Sequence, residues 1–145
     1  MSTNISAIIE IAATPERVWA VLTDLASYEA WNPVFCKAAG EFTVGNYLTL
    51  TTIQPRNGRT MTVKVKVVAA TPAAELRWKS SLLLGLSSSK RAFILGRDGD
   101  SGTELTQTGS YQGLFTTFSY QTVGRIQTSF EAINQAVKEQ AEALS

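Results

Sequence analysis

From Phe115 to Leu144 the side chains Phe115, Phe118, Thr122, Ile126, Phe130, Ile133, Val137, Ala141 and Leu144 recur at steps of three and four. On a helix they fall on one stripe, so the spacing predicts a helix over Leu114–Leu144, about 45 Å long at 1.5 Å rise per residue. A stripe that long has to be covered. The alternating segments between Val34 and Gly113 are the only partner large enough. The pattern therefore predicts an α+β chain in which a curved antiparallel sheet grips one long C-terminal helix, with the functional space between them.

The rest of the chain supplies the sheet and two short helices. The β-rich stretch Ile5–Ile11, with Ile5, Ala7, Ile9 and Ile11 on one face, predicts a first strand. Thr14-Pro15-Glu16 then reads as a helix start: a Thr at the N-cap, a Pro at the first helical position and an early acid that suits the macrodipole. Val18, Val21, Leu22 and Leu25 form that helix's buried stripe. A second helix through Tyr28–Trp31 must stop before Asn32-Pro33, because the residue preceding proline is pushed out of the α region. Six strands follow, at Phe35–Ala39, Tyr47–Ile53, Thr60–Ala70, Glu75–Ser80, Lys90–Arg97 and Thr103–Gln112, punctuated by turn formers such as Pro55-Arg56-Asn57-Gly58 and Asp98-Gly99-Asp100-Ser101-Gly102. Met61, Val63, Val65 and Val67 alternate with Thr62, Lys64 and Lys66, which gives one apolar and one wet face.

Composition narrows the chemistry. The 145 residues fit a single domain over 1–145 that needs no disulfide or metal for stability. A formal charge of +1 offers no basic footprint for nucleic acid. No segment approaches the ~18–20 apolar residues of a membrane span, so no stable membrane insertion is expected. With one cysteine, Cys36, and no recognisable signal peptide, a reducing cytoplasm is the expected location. The chain contains no histidine, which removes imidazole-based triads, most catalytic metal sites and histidine-ligated haem. No cofactor is called for. Cys36 lacks a neighbouring activator and reads as a small buried hydrophobe.

Ile9–Asp24, followed by Tyr28-Glu29-Ala30-Trp31-Asn32-Pro33, resembles the opening of the START/Bet v 1-like (SRPBCC) superfamily, in particular its bacterial polyketide cyclase/dehydrase-like branch. Leu76-Arg77-Trp78, Phe93-Ile94-Leu95, Gly102–Thr108 and Phe130–Lys138 extend the resemblance over nearly the whole chain. It implies a helix-grip fold with a hydrophobic pocket between sheet and C-terminal helix, used by different members to transport, sense or transform a ligand. Relatives often carry a His where this chain has Arg91 and an acid where it has Gly109. The loss of both weakens the case for acid–base chemistry and strengthens that for binding.

Strand alternation places Arg91, Phe93 and Leu95 on one face, beside Leu105, Gln107, Gly109 and Tyr111. If that face is concave, Arg91 is a candidate for binding a carboxylate, phosphate or enolate oxygen; the competing reading puts it in solvent or against an acid. Gln107 could orient a ligand carbonyl or satisfy a backbone group, and the Tyr111 hydroxyl could face a ligand or a backbone acceptor. Trp31 and Trp78 could line the pocket or pack in the core, whereas Trp19 is assigned to packing. Phe118, Thr122 and Ile126 lie on the inward stripe of the long helix, where Thr122 and Gly124 would leave room. The apolar cluster in Leu82–Ser89 reads equally as a lid or membrane-docking tip at the pocket mouth or as a tucked or dimer-forming loop, so a homodimer stays open.

Three functions are compatible with these residues. The first is a carrier or sensor of a small hydrophobic or aromatic, polyketide- or lipid-like ligand. The second is a cofactor-free cyclase or dehydratase in which Arg91 and Tyr111 stabilise an oxyanion. The third is a protein-interaction module of the same fold, such as a chaperone regulator. The missing acid–base partners favour the first.

Overall fold

A computed structural model of the chain describes residues 2–53, 57–82, 87–113 and 120–143. Strand β1 (Ser2–Ile11) leads into helix α1 (Pro15–Thr23), a 3₁₀ turn (Leu25–Ser27) and helix α2 (Tyr28–Trp31). Strands β2 (Phe35–Ala39), β3 (Tyr47–Ile53), β4 (Thr60–Thr71), β5 (Glu75–Leu82), β6 (Ser87–Asp98) and β7 (Gly102–Gly113) follow, and helix α3 (Tyr120–Ala143) closes the chain. All seven strands form one antiparallel sheet in the order β1-β7-β6-β5-β4-β3-β2. This is the helix-grip arrangement that the hydrophobic pattern calls for.

Local chemistry sets the element boundaries. The Thr14 hydroxyl accepts from the Arg17 amide at 3.3 Å and Pro15 opens α1. Asn32, extended before Pro33, ends α2, and its Oδ1 accepts from the amides of Val34 (2.9 Å) and Phe35 (2.8 Å), an Asx turn that aims the chain into β2. At Cys36 the β2–β3 register slips, and the thiol is half-buried with its sulfur 3.6 Å from the Thr51 carbonyl rather than fully inside the core.

The core lies on the concave face. Leu48, Leu50, Val65, Val67, Leu76, Phe93, Leu95 and Leu105 point inward from the strands, and Ile133, Val137 and Ala141 point down from α3. Val18, Val21, Leu22 and Leu25 close the end near the first helices. A smaller cluster, Ile5, Ala7 and Phe130 with Tyr111, Val123 and Ile126 at its edge, sits where the N-terminal half of α3 crosses β1 and β7. Helix α3 rests on β1, α1 and β7 and leaves the β2–β3 side of the concave face less covered. Met61, at the start of the alternating β4 series, lies beyond this cover and is exposed, although Val65 and Val67 are buried as their spacing predicts.

Phe118 and the remainder of 114–119, the tip 83–86 of the Leu82–Ser89 run, and Leu144 lie outside the described residues. No helix among the described residues is long and apolar enough to cross a membrane.

Candidate functional site

Register alone turns Arg91 inward. It pairs with Gly109 on β7 and Trp78 on β5, one step along from Phe93 opposite Gln107, and all of these share the concave face. The side chain is partly buried, with its guanidinium carbon 4.3 Å from the Phe130 ring centre and 5.0 Å from that of Phe35. Both distances are in the range where a cation is drawn to an aromatic face. Arg91 Nη1 donates to Gln107 Oε1 at 2.8 Å, and Arg91 also hydrogen-bonds the Tyr111 side chain. No carboxylate forms an ion pair with Arg91 among the described residues. Burial lowers the pKa of the guanidinium, opposed by Tyr111 and by the Tyr28 phenol.

The polar chain behind Arg91 has a fixed direction. A guanidinium has donors and no acceptor, so Gln107 must present Oε1 to it and its NH₂ the other way. That NH₂ donates to the Phe130 carbonyl at 3.1 Å and to Asn134 Oδ1 at 2.8 Å. The Asn134 carboxamide is thereby oriented too, and its buried Nδ2 finds no partner among the described residues. An orphaned buried amide costs about 1–3 kcal/mol, a cost accepted here in a chain that holds Arg91 in place. Gln107 therefore satisfies a backbone group and a second amide, and orients the arginine instead of reaching the open space itself.

Gly109 explains how an aromatic ring reaches the cation. A Cβ built at this position would lie 2.5 Å from Phe130 Cζ and 3.3 Å from a Tyr111 ring carbon. Where the resemblance anticipates an acid, the absence of any side chain admits Phe130 against β7, under the guanidinium.

The other sequence candidates divide. Phe93 is buried, and Trp78 belongs to an aromatic cluster with Phe93 (5.6 Å), Phe35 (6.0 Å) and Phe42 (6.1 Å) directly beside Arg91. Ile126 is partly buried in the smaller cluster with Tyr111. Thr122, one turn earlier, is partly buried and lies 3.5 Å from an Arg125 nitrogen. Trp31 stands a step away, edge-on to Tyr28 at 5.1 Å, and borders a hollow beside α1 with Arg17, Asp24 and Gln140. Tyr28 itself is buried, and its hydroxyl donates to the Leu22 carbonyl; burial raises its pKa well above the ordinary phenol value. Sequence reasoning missed Phe35, Phe130 and Asn134 as neighbours of this site. Phe130 was legible on the helical stripe, and Gly109 opposite Arg91 was the signal that something from the helix fills that place.

Beside this cluster, between α3 and the β2–β3 edge, opens a cleft of about 820 Å³. Pro33, Val34 and Ile53 form one wall, and Gly124, Thr128 and Ala132 the other. Nothing lies within 4 Å of a Cβ built at Gly124, so the helix is thinned where it borders the opening. Val34 is followed directly by Phe35, which carries the wall on toward Arg91. The described residues contain no group of acidic or thiol side chains placed to hold a metal ion.

The curved sheet and the long helix it grips define a START/Bet v 1-like (SRPBCC) architecture. Over residues 2–142 the chain belongs to the family described as polyketide cyclase / dehydrase and lipid transport. A search of curated proteins gives no match. Among solved structures it is similar to a START superfamily protein from Mycobacterium smegmatis (15% identity, TM-score 0.78, covering 98% of this chain and 99% of that one). A protein from Rhodobacter sphaeroides is 23% identical, with a TM-score of 0.77 over 99% of this chain and 94% of that one. The di-domain ARO/CYC protein StfQ from the steffimycin biosynthetic pathway is 13% identical, with a TM-score of 0.77 over 99% of this chain and 52% of that one.

Proposed function

We propose that the protein binds a small, mainly apolar molecule, polyketide- or lipid-like, whose anionic or carbonyl oxygen meets Arg91, for transport, sensing or sequestration. The ligand reaches the concave face through the cleft between α3 and the β2–β3 edge, and its apolar body lies against Phe35, Trp78, Phe93, Tyr111 and Ile126. The observation that carries this reading is the inward Arg91, held by Gln107 and two aromatic rings and ion-paired with no carboxylate among the described residues. A cation taken partly out of water without a counter-charge is costly unless something supplies one. A ligand oxygen would do so through charge-assisted hydrogen bonds. Family membership supports the ligand class, since its description couples polyketide chemistry to lipid transport.

Native mass spectrometry of protein purified without detergent tests the reading. A retained molecule carrying an acidic or carbonyl oxygen is the expected result. Protein that retains nothing and also fails to take up added long-chain fatty acids would contradict it.

The hydrogen bond between Arg91 and Tyr111 gives specific support to a second reading, a cyclase or dehydratase. A phenol beside a cation is an arrangement that can stabilise a developing oxyanion. That reading predicts product formation from a polyketide chain by wild type and its loss in Tyr111→Phe. The filling of the Gly109 position by Phe130, in place of an acid, favours binding over transformation.

A further inference from the structure

The convex face of the sheet carries a feature that ligand binding does not use. Lys66 on β4, Lys79 on β5 and Lys90 on β6 are direct cross-strand neighbours, Lys66 opposite Lys79 and Lys79 opposite Lys90. At the spacing of adjacent strands the three lysine Cα positions form a row about 10 Å long. Like charges directly opposite one another destabilise a sheet. None of the three forms an ion pair among the described residues. Lys64 adds a fourth cation on the same face, over the ring of exposed Tyr47 at 5.5 Å.

We infer that this face docks on the surface of an anionic lipid bilayer. The row lies on the third, fourth and fifth of the seven strands, the crest of a convex sheet and the first part to meet a plane. In the Lys90 row the neighbours on β7 and β1 are short, Ser110 and Asn4, so the lysines stand above them. A hollow of about 360 Å³ opens beside Lys90 over buried Ala92, rimmed by Arg77, Ser6, Thr108 and Ser110. Lys90 and three hydroxyls around a small floor suit the phosphate of a lipid headgroup, while Arg77 at the rim is ion-paired with Glu75. The acids Glu10 and Glu104, opposite each other near the far end of β1 and β7, stand clear of the row and tilt the basic end toward the membrane. Exposed Val68, in the β4 bulge at the hollow's rim, adds an apolar contact. The docking does not depend on what the concave side binds.

Co-sedimentation with equimolar phosphatidylcholine–phosphatidylglycerol vesicles tests it against vesicles of phosphatidylcholine alone. Wild type is expected to bind the anionic vesicles only, and less as salt is added. The triple variant Lys66→Gln/Lys79→Gln/Lys90→Gln should lose about a hundredfold in binding, at roughly fivefold per lysine near such a surface. It should remain folded, with thermal stability equal to wild type or higher as the repulsion is relieved. Arg17→Gln/Arg97→Gln, on the α1 side, should bind as wild type does. No binding of wild type to anionic vesicles, equal binding to neutral ones, or equal loss in both variants would overturn the proposal. So would capture by poly-glutamate, or self-association abolished by the lysine substitutions, in the absence of vesicle binding.

Discussion

Gly109 is where a single residue decides the site. Its missing side chain lets the Phe130 ring lie against β7 beneath Arg91, so Gly109→Ala should force the buried ring to move and destabilise the fold by about 1–3 kcal/mol, measured by urea unfolding. Gln107→Met keeps the volume and removes both hydrogen-bonding functions. Arg91 then loses its amide acceptor and Asn134 its donor from Gln107, and a loss of about 2–3 kcal/mol is expected in the same measurement. The inward direction of Arg91 was legible in the sequence, because strand alternation fixes the face of every second residue. The partners of Gln107 were not. Asn134 lies on a helix whose placement over the sheet no local pattern specifies, and until that helix is laid down Gln107 reads either as a ligand contact or as the partner of an unnamed backbone group. Phe35 escaped for a related reason: the bulge at Cys36 and the Asx turn at Asn32 set its direction more than its two-residue periodicity does.

At the scale of elements, the sheet has two edges and α3 guards one of them. Gln127 Nε2 donates to the Ser6 carbonyl, and the Ala12 amide donates to Glu142 Oε2, each at 2.8 Å, so side chains of α3 satisfy backbone groups on the open side of β1 and its continuation. This protection is a standard need of an edge strand. Glu142 also accepts from Lys138, and these hydrogen bonds lower its pKa below the ordinary carboxylate value. A carboxyl whose pKa is depressed on folding adds stability above its unfolded pKa of about 4.3, and that contribution disappears as pH falls through the lower, folded value. Wild type should therefore exceed Glu142→Gln in stability near neutral pH, with the gap closing as the pH is taken below that range; chemical unfolding at several pH values reads this directly. Strand β3 follows its alternation and turn residues residue for residue, since hairpin chemistry is local. The strands β5 and β6 run further than their sequence suggests, to Leu82 and from Ser87, because serines paired across them, such as Ser80 with Ser89, extend the ladder where no hydrophobic alternation marks it.

The whole molecule is two-sided. Its concave side holds a cation among aromatic rings beside an open cleft, and its convex side carries a lysine row without ion pairs among the described residues. The long amphipathic stripe made the architecture readable, since only a wrapped sheet covers it. Family resemblance did not point to which polar residue faces inside, because it leads to the expectation of a His and an acid at the positions that Arg91 and Gly109 hold. The central claim, that Arg91 recognises the oxygen end of an apolar ligand, is tested most directly by paired fluorescence titrations. The probes are anionic 1-anilinonaphthalene-8-sulfonate and its uncharged analogue N-phenyl-1-naphthylamine, measured on wild type and on Arg91→Met. A charge-assisted hydrogen bond is worth about 1.5–3 kcal/mol, so the substitution should weaken the sulfonate about tenfold to a hundredfold and leave the neutral probe within about twofold. Equal loss of both probes, or loss of neither, would contradict the account.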